Sequence, residues 1–306
     1  MNVYLPIAGL SLNVFLLLGI GGAIGFMSGL FGVGGGFLLT PLLILLGIPP
    51  TVAVASGANQ IAASSISGLM SHWQRGNVDF KMGLILVLGG LVGSVGGVGL
   101  FTLLQRIGQI DLVIGLCYVA LLGALGGMMS IEGIRSALRR RRQPGRHARL
   151  HHHYWVHRLP LKMRFRRSRL YISAFLPLGL GLLAGLLTAI MGVGGGFLLV
   201  PAMVYLIGMP TAVVVGTSLL QITVISASVT FLQATSNQNV DLVLALLLIA
   251  GGVLGAQYGA RVGSHIRGEQ LRLLLGLIVL GVCAEVAYQL FATPEELYTL
   301  TIRPFS

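Results

Sequence analysis

Ten residues near the start of the chain, Gly32-Val33-Gly34-Gly35-Gly36-Phe37-Leu38-Leu39-Thr40-Pro41, return as Gly192-Val193-Gly194-Gly195-Gly196-Phe197-Leu198-Leu199-Val200-Pro201, nine of them unchanged, at an offset of 160. Pro50-Thr51 matches Pro210-Thr211 at the same offset, and Asn77-Val78-Asp79 matches Asn239-Val240-Asp241 at 162. Gly89, Gly90, Gly93 and Gly97 match Gly251, Gly252, Gly255 and Gly259, again at 162. Self-similarity at one fixed spacing marks two copies of one structural unit, so each motif inside it is read as half of a pair.

Between these landmarks each half divides into five apolar pieces bounded by Gly, Pro and charged residues. In the first half they run from Leu12 to Leu30, Phe37 to Ile48, Thr51 to His72, Met82 to Leu104 and Leu112 to Ile131. In the second they run from Tyr171 to Ile190, Phe197 to Gly208, Thr211 to Phe231, Leu242 to Val262 and Leu271 to Phe291. Four pieces per half are long enough to cross a bilayer as helices, which takes about 20 residues. The second piece is not: a dozen residues rising 1.5 Å each reach roughly 18 Å against a hydrocarbon core of about 30 Å. It is expected as a half-helix or one arm of a broken hairpin, with its Gly-rich turn at membrane depth.

Composition agrees. The hydrophobic set makes up 55% of the 306 residues and charged residues 9%, with mean hydropathy +0.90, where soluble chains average about 25% charged. The expected fold is an all-α polytopic membrane protein. Its expected units are a first transmembrane repeat (1–131), a basic linker (132–170), a second transmembrane repeat (171–293) and a short C-terminal tail (294–306). The first eleven residues hold no Lys or Arg, so the positive start of a cleavable signal peptide is missing and the first apolar piece is expected to be retained. Cys117 and Cys283 sit in apolar runs without framework spacing, which points to neither a disulfide scaffold nor a zinc site.

Charge sets the expected orientation. Thirteen of the 20 Lys and Arg lie between Arg135 and Arg169. With that segment cytoplasmic and the halves inverted relative to each other, 18 basic residues fall inside and Arg106 and Arg303 outside; a parallel repeat would put Arg261, Arg267 and Arg272 outside and fits the positive-inside rule less well. Two inverted repeats, each with four spans and one short helix, are therefore expected, with the site at their interface. Arg139 to Arg142, His151 to His153 and Arg164 to Arg169, with Tyr154, Trp155 and Phe165 among them, read as a topology anchor meeting anionic headgroups rather than as a nucleic-acid surface. The His triplet has no partner ligands at metal spacing.

The Gly-rich turn is not a nucleotide loop, because it lacks the preceding strand of a dinucleotide fold and the Lys with Ser or Thr of a phosphate loop. What remains is close backbone approach and two helix starts aiming their positive ends inward. Gly34, Gly35, Gly36 and Phe37, with Gly194, Gly195, Gly196 and Phe197, are thus candidates to hold an anion, since irregular backbone at membrane depth is tolerated where it lines a cavity. The glycines of the fourth pieces read as packing residues, and Asp79 and Asp241 as caps of the helices that follow them. Glu285, inside the last apolar piece, is a candidate proton carrier; His72 and Trp73 read as an interfacial anchor.

The doubled Gly-rich element, the Pro-Thr after it, Gly216-Thr217-Ser218 and the Asn-Val-Asp before the fourth piece resemble the sulfite exporter TauE/SafE family, also called the toluene sulfonate uptake permease family. That resemblance covers both halves and implies a transporter of sulfite, sulfonates or related sulfur-containing anions in the bacterial inner membrane. The halves differ where the first reads Ala55-Ser56-Gly57-Ala58-Asn59 and the second Gly216-Thr217-Ser218-Leu219-Leu220. Hydroxyls and amides of the third pieces suit an oxyanion, with Asn59, Gln60, Thr217, Ser218 and Gln221 as candidates; interhelical hydrogen bonding is the competing role. The expected function is secondary transport driven by the proton gradient, without a cofactor. The alternatives are a passive anion channel and a membrane-embedded enzyme, the latter lacking a convergent catalytic constellation.

Overall fold

A computed structural model describes residues 2–31, 34–142, 162–165, 167–168, 170–263 and 268–291. Each half opens with an antiparallel hairpin, β1 (Asn2–Leu5) with β2 (Leu10–Asn13) and β3 (Lys162–Phe165) with β4 (Leu170–Ser173), the second starting 160 residues after the first. Helices α1 (Val14–Phe31), α2 (Gly36–Leu45), α3 (Pro50–Gln74), α4 (Phe80–Ile107) and α5 (Ile110–Arg142) complete the first half. The second continues with α6 (Phe175–Met191), α7 (Gly196–Ala202) and its π-helical extension Met203–Ile207, then α8 (Thr211–Ser236), α9 (Leu242–Gly263) and α10 (Gly268–Phe291).

Among the described residues, five helices are long and apolar enough to cross a membrane: α1, α4, α5 over Ile110–Met128, α8 and α9. Helix α3 has 25 residues, but its Ser, Asn and Gln side chains dilute its apolar character. Several expected boundaries move. Residues 171–173 belong to β4, which leaves α6 with 17 residues, and Leu12 belongs to β2. Helix α5 runs past Ile131 to Arg142, because Leu, Ala and Arg are good helix formers and no proline interrupts the run before Pro144. The His151 to His153 triplet, Trp155 and the 294–306 tail lie outside the described residues.

Among the described residues the two halves share one main core. Helix α1 packs against α9 and α6 against α4, α5 pairs with α10, and α3 packs against α8. The first two pairings are the same contact made twice with the halves exchanged. Glycines set both seams: Gly21, Gly25 and Gly29 face the backbones of Leu248, Gly252 and Ala256, while Gly181 and Gly185 face those of Leu86 and Gly90. Gly89 and Gly93 lie on the carbonyls of Leu178 and Leu182, and Gly251 and Gly255 on those of Leu18 and Gly22. None of these sites has room for a Cβ, so the fourth-piece glycines are packing residues that let backbones touch. The outer faces carry large apolar side chains in the open, such as Phe15, Val92, Leu112 and Leu254, each more than 60% exposed. A water-soluble monomer rarely shows such a surface; hydrocarbon is its natural solvent.

The hairpins are tied in by the two Asn-Val-Asp aspartates. Asp79 caps α4 by accepting from the Met82 N–H at 3.1 Å, and its second oxygen accepts from the Ser168 N–H at 3.1 Å and the Ser168 hydroxyl at 2.7 Å. Asp241 does the same on the other side: one oxygen accepts from the N–H groups of Val243 and Leu244, the other from those of Ile7 at 2.9 Å and Ala8 at 3.4 Å. The equivalent residues Leu5 and Phe165 then bury fully in the apolar core. Replacing Asp79 or Asp241 with alanine removes a cap and a buried charge-assisted anchor together, which costs on the order of 3 kcal/mol. The apparent unfolding temperature of the purified protein should fall by several degrees for either variant, and less for Ser168→Ala, which leaves the cap intact.

Candidate functional site

The centre of the protein is built from the two Gly-rich turns. Each ends in a glycine that caps a short helix with left-handed backbone, Gly35 at φ 69° and Gly195 at φ 68°, with no side-chain cap. Such a dihedral suits glycine, since a Cβ there crowds the backbone. In α2 the N–H groups of Leu38 and Leu39 reach back to the Gly35 carbonyl, and in α7 those of Leu198 and Leu199 reach the Gly195 carbonyl. The first amides of each helix, Gly36 and Phe37 in α2 and Gly196 and Phe197 in α7, therefore have no acceptor within their own helix. These amide N–H groups lie at the positive end of each helix. Both short helices reach only part of the way across a bilayer: ten residues in α2 and twelve in Gly196–Ile207.

The turns meet each other. The Gly192 and Val193 carbonyls lie against Gly36, each 2.7 Å from where a Cβ would stand. Rings Phe37 and Phe197 approach to 6.4 Å between centroids, tilted by 32°. Ile61 of α3 and Ile222 of α8 fill the space beside both Gly34 and Gly194. Met191, the last residue of α6, is held by the buried Tyr118 of α5, whose hydroxyl donates to its carbonyl at 2.8 Å. That clamp fixes the start of the second turn. Ser28 and Thr188, at equivalent positions in α1 and α6, back onto Gly35 and Gly195. Ser65 and Ser226, equivalent in α3 and α8, are also fully buried, and Ser226 Oγ lies near Gly194.

The polar candidates of the third pieces divide into two groups. Gln60 and Gln221 are fully buried, and neither amide has a hydrogen-bond partner among the described residues. Each is pressed against a glycine of the opposite half: Gln60 on Gly252 of α9, Gln221 on Gly90 of α4. They therefore lie at two related places rather than pooling at one. Thr217 has a structural task, since its hydroxyl accepts from the Asp79 N–H at 3.1 Å; Ser56 does the same for Asp241 at 2.9 Å. The Ser218 hydroxyl donates to the Val215 carbonyl of its own helix at 3.0 Å. Asn59 is half-buried on another face of α3 from Gln60, and Glu285 is exposed on α10. Gly32 and Val33 lie outside the described residues.

Sequence reasoning missed Tyr118, Ile61 and Ile222, because nothing in a helical run of apolar residues marks which one will meet a turn from a distant helix. The equivalence of Ser65 with Ser226 was open to it, at a spacing of 161 that also relates Gln60 to Gln221.

A family model described as sulfite exporter TauE/SafE matches residues 17–286, a range that holds both turns, both aspartates and both buried glutamines. The chain belongs to the TauE/SafE family. A "Probable membrane transporter protein" of Xylella fastidiosa strain 9a5c is 28% identical over 285 residues, covering 92% of this chain and 97% of the relative. The "Probable membrane transporter protein YjnA" of Bacillus subtilis is 27% identical over 257 residues, 84% of this chain and 93% of the relative. A further probable membrane transporter protein, from Methanocaldococcus jannaschii, is 24% identical over 277 residues, 86% of this chain and 91% of the relative. No solved structure matches the chain. As a TauE/SafE member it is a multi-pass membrane transporter rather than an enzyme. Its central turns supply backbone donors and carbonyl acceptors, and among the described residues no group of three or more His, Cys, Asp or Glu is placed to hold a metal ion.

Proposed function

We propose that this protein is a secondary transporter of a small sulfur-containing anion, sulfite or an organosulfonate, across the bacterial inner membrane. The observation that carries this reading is the convergence of two uncapped helix starts, α2 and α7, at one place in the centre. Backbone N–H groups and neutral amides bind an oxyanion without a fixed cation, so binding is readily undone, as transport requires. The two halves cross with opposite orientation and the Arg-rich centre is cytoplasmic. The reciprocal pairing of α1 with α9 and of α6 with α4 supports an inverted repeat that rocks about the shared turns. Gly34 to Phe37, Gly194 to Phe197, Gln60 and Gln221 form the binding region, and the proton gradient drives the cycle.

Uptake of labelled sulfite into proteoliposomes, with sulfate and a sulfonate as competitors, tests the reading. Saturable flux that responds to an imposed pH gradient and is blocked by the better competitor is the expected result. Flux that neither saturates nor shows counterflow would mean a channel, and flux no higher than in empty liposomes would overturn the substrate class.

A further inference from the structure

Beside the second hairpin lies a cleft of about 390 Å³ whose walls include Trp73, Phe80, Lys81, Arg164 and Arg167. Its one carboxylate, Asp79, is 3% exposed and occupied by the bonds to Met82 and Ser168. The accessible charge is therefore positive. Lys81 donates from Nζ to the Arg164 carbonyl at 3.4 Å and Arg167 from Nη1 to the Gly76 carbonyl at 3.0 Å. Both cations keep further donors free of these bonds, and all three basic side chains are exposed.

The repeat supplies the control. On the other side of the protein the Asp241 anchor holds the first hairpin with the same parts, yet Lys81 has Val243 as its counterpart, Arg164 has Tyr4 and Arg167 has Ile7. The fold thus secures a hairpin without cations, and the three at this cleft are surplus to that task. Around them the surface is built for lipid. The Trp73 and Phe80 rings meet edge to face at 5.6 Å and are 59% and 50% exposed. Met70, one turn before Trp73, and Leu84, one turn after Phe80, are 57% and 60% exposed, which carries the apolar surface from the cleft along α3 and α4. Aromatic rings at headgroup level above an apolar stripe are the usual membrane-interface arrangement.

We propose that this cleft is a binding site for the phosphate of an anionic phospholipid headgroup, held by Lys81, Arg164 and Arg167, with the glycerol and first acyl carbons resting on Trp73 and Phe80. Anionic headgroups were expected along the whole basic linker; the geometry narrows that to one site shared by the hairpin and the start of α4. The site is independent of which anion the centre transports.

The two tryptophans are Trp73 and Trp155, so the full chain carrying Trp155→Phe has a reporter inside the cleft. Short-chain phosphatidylglycerol added to this protein in neutral detergent should change Trp73 emission saturably, whereas matched phosphatidylcholine and inorganic phosphate should bind at least tenfold more weakly. Each of Lys81→Gln, Arg164→Gln and Arg167→Gln should weaken phosphatidylglycerol about fivefold, and the triple variant on the order of 100-fold. Arg261→Gln, a cation outside the cleft, should leave the titration unchanged. Arg164→Lys should keep most of the affinity, which separates loss of charge from loss of fold should the triple variant aggregate. Equal binding of phosphatidylcholine, or an unchanged titration in Arg164→Gln and the triple variant, would overturn the site. Inorganic phosphate binding as tightly as phosphatidylglycerol would overturn the lipid as its occupant.

Discussion

Replacing Gly195 by valine is expected to abolish transport while the protein still inserts and folds. Gly195 sits at φ 68°, where a Cβ would stand 2.8 Å from the Ala184 Cβ and 2.9 Å from the Ala184 carbonyl oxygen. The left-handed backbone alone costs an L-residue roughly 1–2 kcal/mol, and the seam of α6 against α4 cannot widen to admit the side chain. The turn must move instead, which takes the first amides of α7 off their positions; a displacement of about 1 Å costs on the order of 100-fold where function depends on positioning. Gly35→Val repeats the experiment in the other half, with φ 69° and the Ile24 carbonyl oxygen 2.9 Å from the Cβ position. Gly96→Val is the control, since nothing lies within 4 Å of its Cβ position, and its flux should stay within roughly twofold of the parent. Initial uptake rate per inserted molecule is the measurement. Normal flux in Gly195→Val and Gly35→Val would remove the turns from the transport site.

The second large effect concerns Gln60 and Gln221, where stability and activity should move in opposite directions. A buried amide left without partners costs about 1–3 kcal/mol, and leucine fills a similar volume without that cost. Gln60→Leu and Gln221→Leu are therefore expected to raise the apparent unfolding temperature. If the amides are kept for an anion that supplies their missing partner, the same variants should lose at least tenfold in uptake. A rise in stability with uptake unchanged would assign both glutamines to packing against Gly252 and Gly90. Because the two positions are equivalent, the effects should be of similar size in either half.

Particular elements show how far the sequence reaches. The doubled Gly-rich element announced two turns, two short helices and their convergence, and each is where a period of 160 puts it. The fourth-piece glycines and the capping aspartates were legible too, because small residues at helical spacing and an Asp just before an apolar run have few other uses. The hairpins were not. Strands of four residues are too short for alternation to rise above noise, and Tyr171 to Ser173 read as the start of a helix because they are apolar and adjoin one. Thr217 and Ser218 looked like ligands from their position on α8, but a hydroxyl on a helix bonds whatever backbone reaches it. For Thr217 that is the Asp79 N–H, 138 residues away.

Length, hydropathy and repetition pointed by themselves to a membrane protein of two related halves with a short helix after the Gly-rich turn in each, because those properties follow from the cost of placing backbone and side chains in hydrocarbon. Tertiary structure alone decided which residues share a neighbourhood. Gly252 of the second half lies against Gln60 of the first, Tyr118 of α5 clamps the end of α6, and Ser168 closes on Asp79. Each is a contact between segments that the sequence holds far apart, made where a side chain of one segment reaches another segment packed against it, and no local pattern encodes that approach.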